Sequence, residues 1–516
     1  MPSDIVRRDR TPEEKSTFAN VGAIRPFAEC AIAESGERIM MTTRPHPSQF
    51  LYTDSGAALP RRCEPIFEDF LAGRGDPSGE LDRVLDQNPE LLFGHCLRAA
   101  IIVRGDDVAA RSRLVKCIAA IEESCRHVDD WACRHASAAR AWLDGYQALA
   151  VERYGAIVVD FPRDLVALVV ANALDFRLGQ RRMLRDRVAQ ILPEWHAAIP
   201  GYASVLAMYA FGLEENGQYS RAEKIARRAL LSDPRHPAAI HVIAHVMEMQ
   251  GRDREALEFL ATTERAWMNT TFSVHLSWHR ALFHLDEDDV SSALAVYDLH
   301  IAERHAMSEL ADASALLWRL QLRNVQLGER WHRLADRWEM QTLSGARPFH
   351  IAHAMMAFAA AERPAAVERI FNMLRQTDTS GTVVSYLEDQ LTVRLCRALL
   401  FFAQGDYAGC VEWLGSVRHI TDRCGGSLAQ CDLVQLTFVE AALRGHKANL
   451  ARALVAERMA QKPSSRSNRR LQTRLMSAKR EDVPIIQPSK VEVVKSPETV
   501  GALELTIPGS MPLPAR

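Results

Sequence analysis

At 516 residues the chain exceeds what one globular core usually serves, which leaves several domains or one elongated array. Its 63 basic and 65 acidic residues give a formal net charge of −2, so no global field draws in nucleic acid or an anionic membrane. The hydrophobic content of 47% is ordinary for a soluble, well-buried protein, and the few aromatic residues never interleave with basic clusters as in a single-strand binder.

Residues 1–60 mix charge, Pro and Gly without a sustained period, which predicts a poorly ordered N-terminal segment, ordered at most around Phe27–Ile39. The opening MPSDIVRRDRTPEEK has no apolar core of a signal peptide, and apolar runs such as Leu165–Ala173 are too short to span a bilayer. A cytoplasmic protein is therefore expected. The ten cysteines contain no CxxC pair and read as reduced thiols. Cys117, Cys125 and Cys133 stand eight apart, a drift of about 80° per step on a helix, which suits buried small hydrophobes better than a metal or redox site.

A helical pattern fills residues 61–460. Leu81–Leu85 and Leu91–Ile102 form a first pair, broken at Gly105-Asp106-Asp107. A second runs from Asp129 to about Val159, turning at Gly145 and closed by Pro162. The clearest unit is Tyr202–Pro234, whose first helix ends before Gly217, a residue free to take the left-handed cap. Ala222 and Ala229 allow its two helices to cross closely, and Pro234 stops the second. Gly251 and Ala256 repeat Gly217 and Ala222 at an interval of 34 residues, the length of a tetratricopeptide repeat. A third unit, Ser273–His305, has a lengthened loop at Asp286–Asp289 and Ala293 at the alanine position. Weaker pairs follow at Ala311–Met340, Phe349–Arg375 and Leu387–Ile420, then helix at Leu428–Arg444. The expected fold is all-α, a tetratricopeptide-like α-solenoid of about ten helix pairs, curled tightly enough to enclose its concave face. Residues 461–516, rich in Pro and Ser with 10 Lys or Arg against 5 Asp or Glu, read as a disordered basic tail.

The second and third units carry a histidine face. On a helix His245 lies about 40° from His241 and Glu248 about 20° to the other side, so HVIAHVMEMQ presents the three as one stripe. In HLSWH, His275 and His279 are likewise one turn apart. Neighbouring first helices pack at roughly 10 Å, which lets four imidazoles and one carboxylate converge on the groove, with Ile240, Ile243, Ala244 and Met247 behind them in the core. His284 falls at a packing position and is expected in the core, while His300, His305, His350 and His353 are candidates to approach the groove. Three uses remain open for His241, His245, Glu248, His275 and His279. They form a polar wall bonded to neighbours and water, a recognition surface for an anionic peptide or small molecule, or a first-row metal site such as zinc. In the metal case His241, His245, His275 and His279 are the ligands, and Glu214 or Glu248 is a candidate base for a bound water. No phosphate-binding glycine loop, GxSxG elbow or paired-carboxylate motif is present.

Several stretches resemble the tetratricopeptide repeat protein 38 family: NPELLFGHCLRA, AFGLEENGQYSRAEKIARRALLSDP, HVIAHVMEMQGR, HLSWHRALFHL, ALAVYDLHI, LLWRLQL with GERW, and GGSLAQCD. The resemblance covers about residues 65–460 and implies a helical repeat array without an assigned reaction. It matches His241, His245, Glu248, His275, Trp278 and His279 to the family's characteristic segments. The family tends to show His-Asp where this chain has Ala171-Asn172, Asn-Asp where it has Ile351-Ala352, and Arg where it has Cys431. Those differences imply that polar groups of the family's groove are lost here. The function expected is a cytoplasmic repeat protein that binds a peptide or small molecule in the groove lined by these residues and Glu214. The alternatives are a metal-dependent hydrolase on the same cluster and an assembly scaffold whose groove receives a protein partner or the chain's own tail.

Overall fold

A computed structural model of the chain describes residues 60–107, 109–125, 130–376 and 383–477. The described residues form 23 α-helices and no strand, each helix packed mainly on its neighbours in sequence. This is the expected all-α repeat array, and it begins with a helix at Pro60–Ala72. Residues 1–59, including the patch at 27–39, and residues 478–516 lie outside the described residues.

The three central units share one construction. Their first helices are Tyr202–Glu214, Pro237–Gln250 and Ser273–Asp286, and their second helices begin at Tyr219, Asp253 and Val290. Each turn between the two needs one left-handed residue, supplied by Gly217 (φ 74°), Gly251 (φ 66°) and, where the third loop is longer, Asp288 (φ 71°). Ala222, Ala256 and Ala293 are wholly buried at the helix crossings, as their spacing requires. The two helices of a unit differ in surroundings. Pro237–Gln250 buries ten residues on all sides, whereas Tyr219–Ser232 buries only Ala222, Ala226 and Ala229 along one stripe. First helices are thus enclosed and second helices face solvent.

The enclosure comes from far along the chain. Helix Leu428–Arg444 packs against both Pro237–Gln250 and Met307–Leu322. The Trp318 indole donates to Thr437 Oγ1 at 3.0 Å, the Arg319 guanidinium donates to the Ala429 carbonyl at 2.8 Å, and the Leu428 amide donates to Glu215 Oε1 at 3.0 Å. Three contacts of this kind are beyond any local sequence signal.

Two expectations need correction. The tail expected to be disordered from 461 is helical at Arg466–Ser477, with Asn468 and Leu471 buried. Its basic residues are held by specific acceptors: Arg470 donates to the Leu285 and Asp286 carbonyls at 3.2 and 2.9 Å, and Arg466 pairs with Glu287 at 2.8 Å. Cations at the carbonyl end of Ser273–Asp286 complement its dipole. Averaging composition over the whole tail hid this short amphipathic stretch. The second correction concerns the cysteines. Cys117 is buried and free, but Cys133 is disulfide-bonded. The helix of Cys117 ends at Cys125 and a new one starts at Asp130, so the drift expected along one continuous helix does not apply.

A Cβ at Gly251 meets the Ser464 carbonyl oxygen at 2.7 Å, while one at Gly217 meets nothing within 4 Å. Both glycines are left-handed, a conformation costing a side chain roughly 1–2 kcal/mol. Urea unfolding is expected to show Gly217→Ala destabilised by about that amount and Gly251→Ala by clearly more, because only the latter also pushes the C-terminal segment away.

Candidate functional site

The four histidines do converge. Ring centroids of His241 and His245 are 4.3 Å apart, His245 and His279 4.5 Å, His275 and His279 4.8 Å, and His241 and His275 4.9 Å. One nitrogen from each lies within 4.8 Å of the others. His245 and His279 have no exposed surface, while His241 and His275 are partly exposed. The i, i+4 pairs on adjacent first helices produce this directly, since each pair projects from one face and the two faces oppose each other.

Carboxylates stand behind the rings. His275 Nδ1 donates to Asp312 Oδ2 at 2.8 Å, and His279 Nδ1 donates to Glu248 Oε2 at 2.9 Å. With the hydrogen on Nδ1, each ring presents the lone pair of Nε2 to the centre. Glu214 Oε2 approaches His245 Nδ1 at 3.4 Å without forming a hydrogen bond. Buried Nε2 atoms of His241, His245 and His279 make no hydrogen bond within the protein. Each such buried polar atom costs about 1–3 kcal/mol.

Electrostatics follow from the dryness of the site. Burial, reinforced by the neighbouring imidazoles, pushes His241 and His279 well below the usual histidine range. Burial brings His245 down to about 4, with the Glu248 and Glu215 carboxylates opposing the shift. In His275 burial acts the same way, yet Asp312 outweighs it and the ring holds its proton more tightly than usual. Glu214 is raised to about 8 by burial and then by Glu248, and Glu215 to about 7 by burial and then by Glu214. Glu215 also bonds Arg181 at 3.1 Å.

The sequence-named residues thus fall into distinct places. Glu248 does not face the centre as a fifth ligand: one oxygen holds His279 and the other pairs with Lys462 at 3.2 Å. Trp278 is a buried wall, stacked on His275 at 5.3 Å, with the Arg319 guanidinium 5.2 Å from the centroid of its ring. Glu214 sits behind His245. His284, expected in the core, is only half-buried and lies 3.5 Å from Asp289, because the lengthened turn brings that carboxylate over it. His305 is exposed and His300 partly exposed beside Arg280 and Arg304, so neither joins the groove. His350 and His353 are buried, the latter near Asp312 and Arg319.

Sequence reasoning missed Asp312, Glu215, Gln430 and Lys462. Asp312 carried a signal, being an acid inside the otherwise apolar helix Met307–Leu322. Gln430, which donates to Asp312 at 3.2 Å, and Lys462 come from distant segments and carried none. Cys431, where the resemblance leads one to expect Arg, lies 3.8 Å from Arg181 and so borders the Glu214–Glu215 end of the site. Beside the cluster, Glu248 also lines a cavity of about 420 Å³ with Phe283, Arg319, Asp432 and Lys462. Chemically, the centre offers four imidazole donors with anchored rings, and two carboxyls that exchange protons near neutrality.

No family model matches the chain. Among solved structures, that of Naa15/Naa10 bound to HypK-THB aligns over 82% of this chain and 66% of its own, just under two thirds, at 12% identity and a TM-score of 0.23. Similarity of that degree carries no functional argument.

Histidines held neutral in the fold bind fewer protons than in the unfolded chain, so their contribution is lost as pH falls from about 6.5 to about 4. His236 and His353, at about 4, act with His245 in this direction. Glu214 and Glu215 act oppositely, their contribution lost as pH rises from about 4.5 to about 7 for Glu215 and about 8 for Glu214. Thermal midpoints across pH 4–9 are expected to form a dome with a steep acid limb. His236→Asn, which keeps a side-chain cap for Pro237–Gln250, is expected to make that limb shallower.

Proposed function

We propose that this chain is a helical-repeat protein that encloses a small ligand against the imidazole wall of its second and third tetratricopeptide-like units. The observation that supports it best is the set of buried Nε2 atoms of His241, His245 and His279, unbonded within the protein, in a cluster where one nitrogen of each of four imidazoles lies within 4.8 Å of the others. An extended peptide fits less well than the notion of an open groove suggested. Helix Leu428–Arg444 and the Lys462 segment lie against the first helices where such a peptide would run. A small species reached through the cavity beside Glu248 fits better. Membership of the tetratricopeptide repeat protein 38 family and a cytoplasmic location are part of this proposal. The first rests on the histidine segments quoted above. The second has in its favour that no helix among the described residues is long and apolar enough to cross a membrane.

One observation favours a second reading, a hydrolase. Glu214 and Glu215, held near neutrality behind His245, have the proton affinity a general acid or base requires. Outward-facing second helices also leave a broad surface for a protein partner, as in helical repeat arrays generally.

Native mass spectrometry of untagged protein tests the ligand reading. Wild type is expected to carry a small mass beyond the polypeptide that disappears on denaturation and is absent from His245→Ala and His279→Ala. A wild-type native mass equal to that of the bare chain, unchanged after incubation with a low-molecular-weight cell extract, would overturn it.

A further inference from the structure

The geometry points to a mononuclear site for a first-row divalent metal ion, held by Nε2 atoms of His241, His245, His275 and His279. This deepens the preceding reading, on which it rests, by naming the ligand. One ring nitrogen of each histidine already lies within 4.8 Å of the others. Around an ion with bonds of roughly 2.0–2.1 Å, tetrahedral donors stand about 3.3–3.4 Å apart, so the widest separation closes by up to about 1.5 Å. Ring rotation about the histidine side-chain torsions supplies that movement without displacing the helices.

Three features separate this cluster from an incidental gathering of histidines. Its donors come as i, i+4 pairs from two helices that are rigidly packed by Ala222-type crossings and by helix Leu428–Arg444, so their relative placement is fixed. Rings of His275 and His279 are oriented by carboxylates on Nδ1, the outer-shell pattern that fixes the tautomer and raises the basicity of metal-bound imidazole. Those carboxylates are themselves anchored, Asp312 by Gln430 at 3.2 Å and Glu248 by Lys462 at 3.2 Å, leaving no freedom to turn inward. An all-imidazole donor set selects zinc, copper, nickel, cobalt or iron over calcium and magnesium, which take oxygen. Asp312 and Glu248, bonded to His275 and His279, set carboxylate oxygens directly behind two of the ligating rings.

The test uses full-length, untagged protein stripped with a chelator, then titrated with Zn²⁺ and separately with Co²⁺. One ion per chain is expected, with cobalt giving the intense visible bands of a tetrahedral nitrogen site. His245→Ala and His279→Ala are expected to lose binding by at least a hundredfold. Glu248→Gln, which keeps all four ligands, is expected to bind one ion 10–100-fold more weakly. Circular dichroism of each variant separates lost ligands from lost fold, and His241→Gln stands in if the fully buried positions do not tolerate Ala. Absence of stoichiometric binding in folded wild type, or undiminished binding in folded His245→Ala and His279→Ala, overturns the metal site. A native mass showing an organic adduct instead sinks only this inference, whereas a bare chain sinks the ligand reading with it.

Discussion

The structure depends on one constraint: two pairs of imidazoles, each a helical turn apart, are pressed together where the protein closes off most of their surface. Burying polar nitrogen without a partner is costly, and here three ring nitrogens bear that cost at a single point. A fold keeps such a cluster only if something compensates it. Carboxylates compensate Nδ1 of His275 and His279 alone. The Nε2 side faces its neighbours, and every functional argument made for this chain descends from that asymmetry.

Rigidity makes the asymmetry persistent. The first helices of the central units are apolar on all sides because other helices surround them, and the last of those neighbours arrives from residues 428–444. The Leu428 amide on Glu215 and the Lys462 ammonium on Glu248 tie that closure to the acidic groups of the site itself. Lys462 is largely enclosed, and although burial alone favours its neutral form, Glu248 and Asp432 more than offset this and hold the ammonium charged. Packing of the C-terminal segment and electrostatics of the histidine centre are therefore one problem, not two.

Much of this was legible in the chain. Gly217, Gly251, Ala222 and Ala256 set the repeat because each position has a single steric need, a left-handed turn or a close crossing. The i, i+4 spacing of the histidines set their faces for the same local reason. What remained hidden was non-local. Nothing near Lys462 or Gln430 in sequence indicates a partner some hundred or two hundred residues away. The helix Arg466–Ser477 escaped notice because its few apolar residues are diluted by a Pro- and Ser-rich context, and its stability comes from carbonyls and carboxylates of other helices. Glu248 was placed on the correct stripe, but its bonds to His279 and Lys462 were not foreseen, since a stripe says which face a side chain occupies and not which neighbours reach it.

The central claim is that the four imidazoles meet around one bound ion. Anomalous diffraction from crystals of metal-loaded, untagged protein, collected on either side of the metal's absorption edge, addresses it most directly. The account predicts a single strong peak equidistant from the Nε2 atoms of His241, His245, His275 and His279. Density showing those rings turned apart, or a peak located elsewhere with none among them, would contradict it.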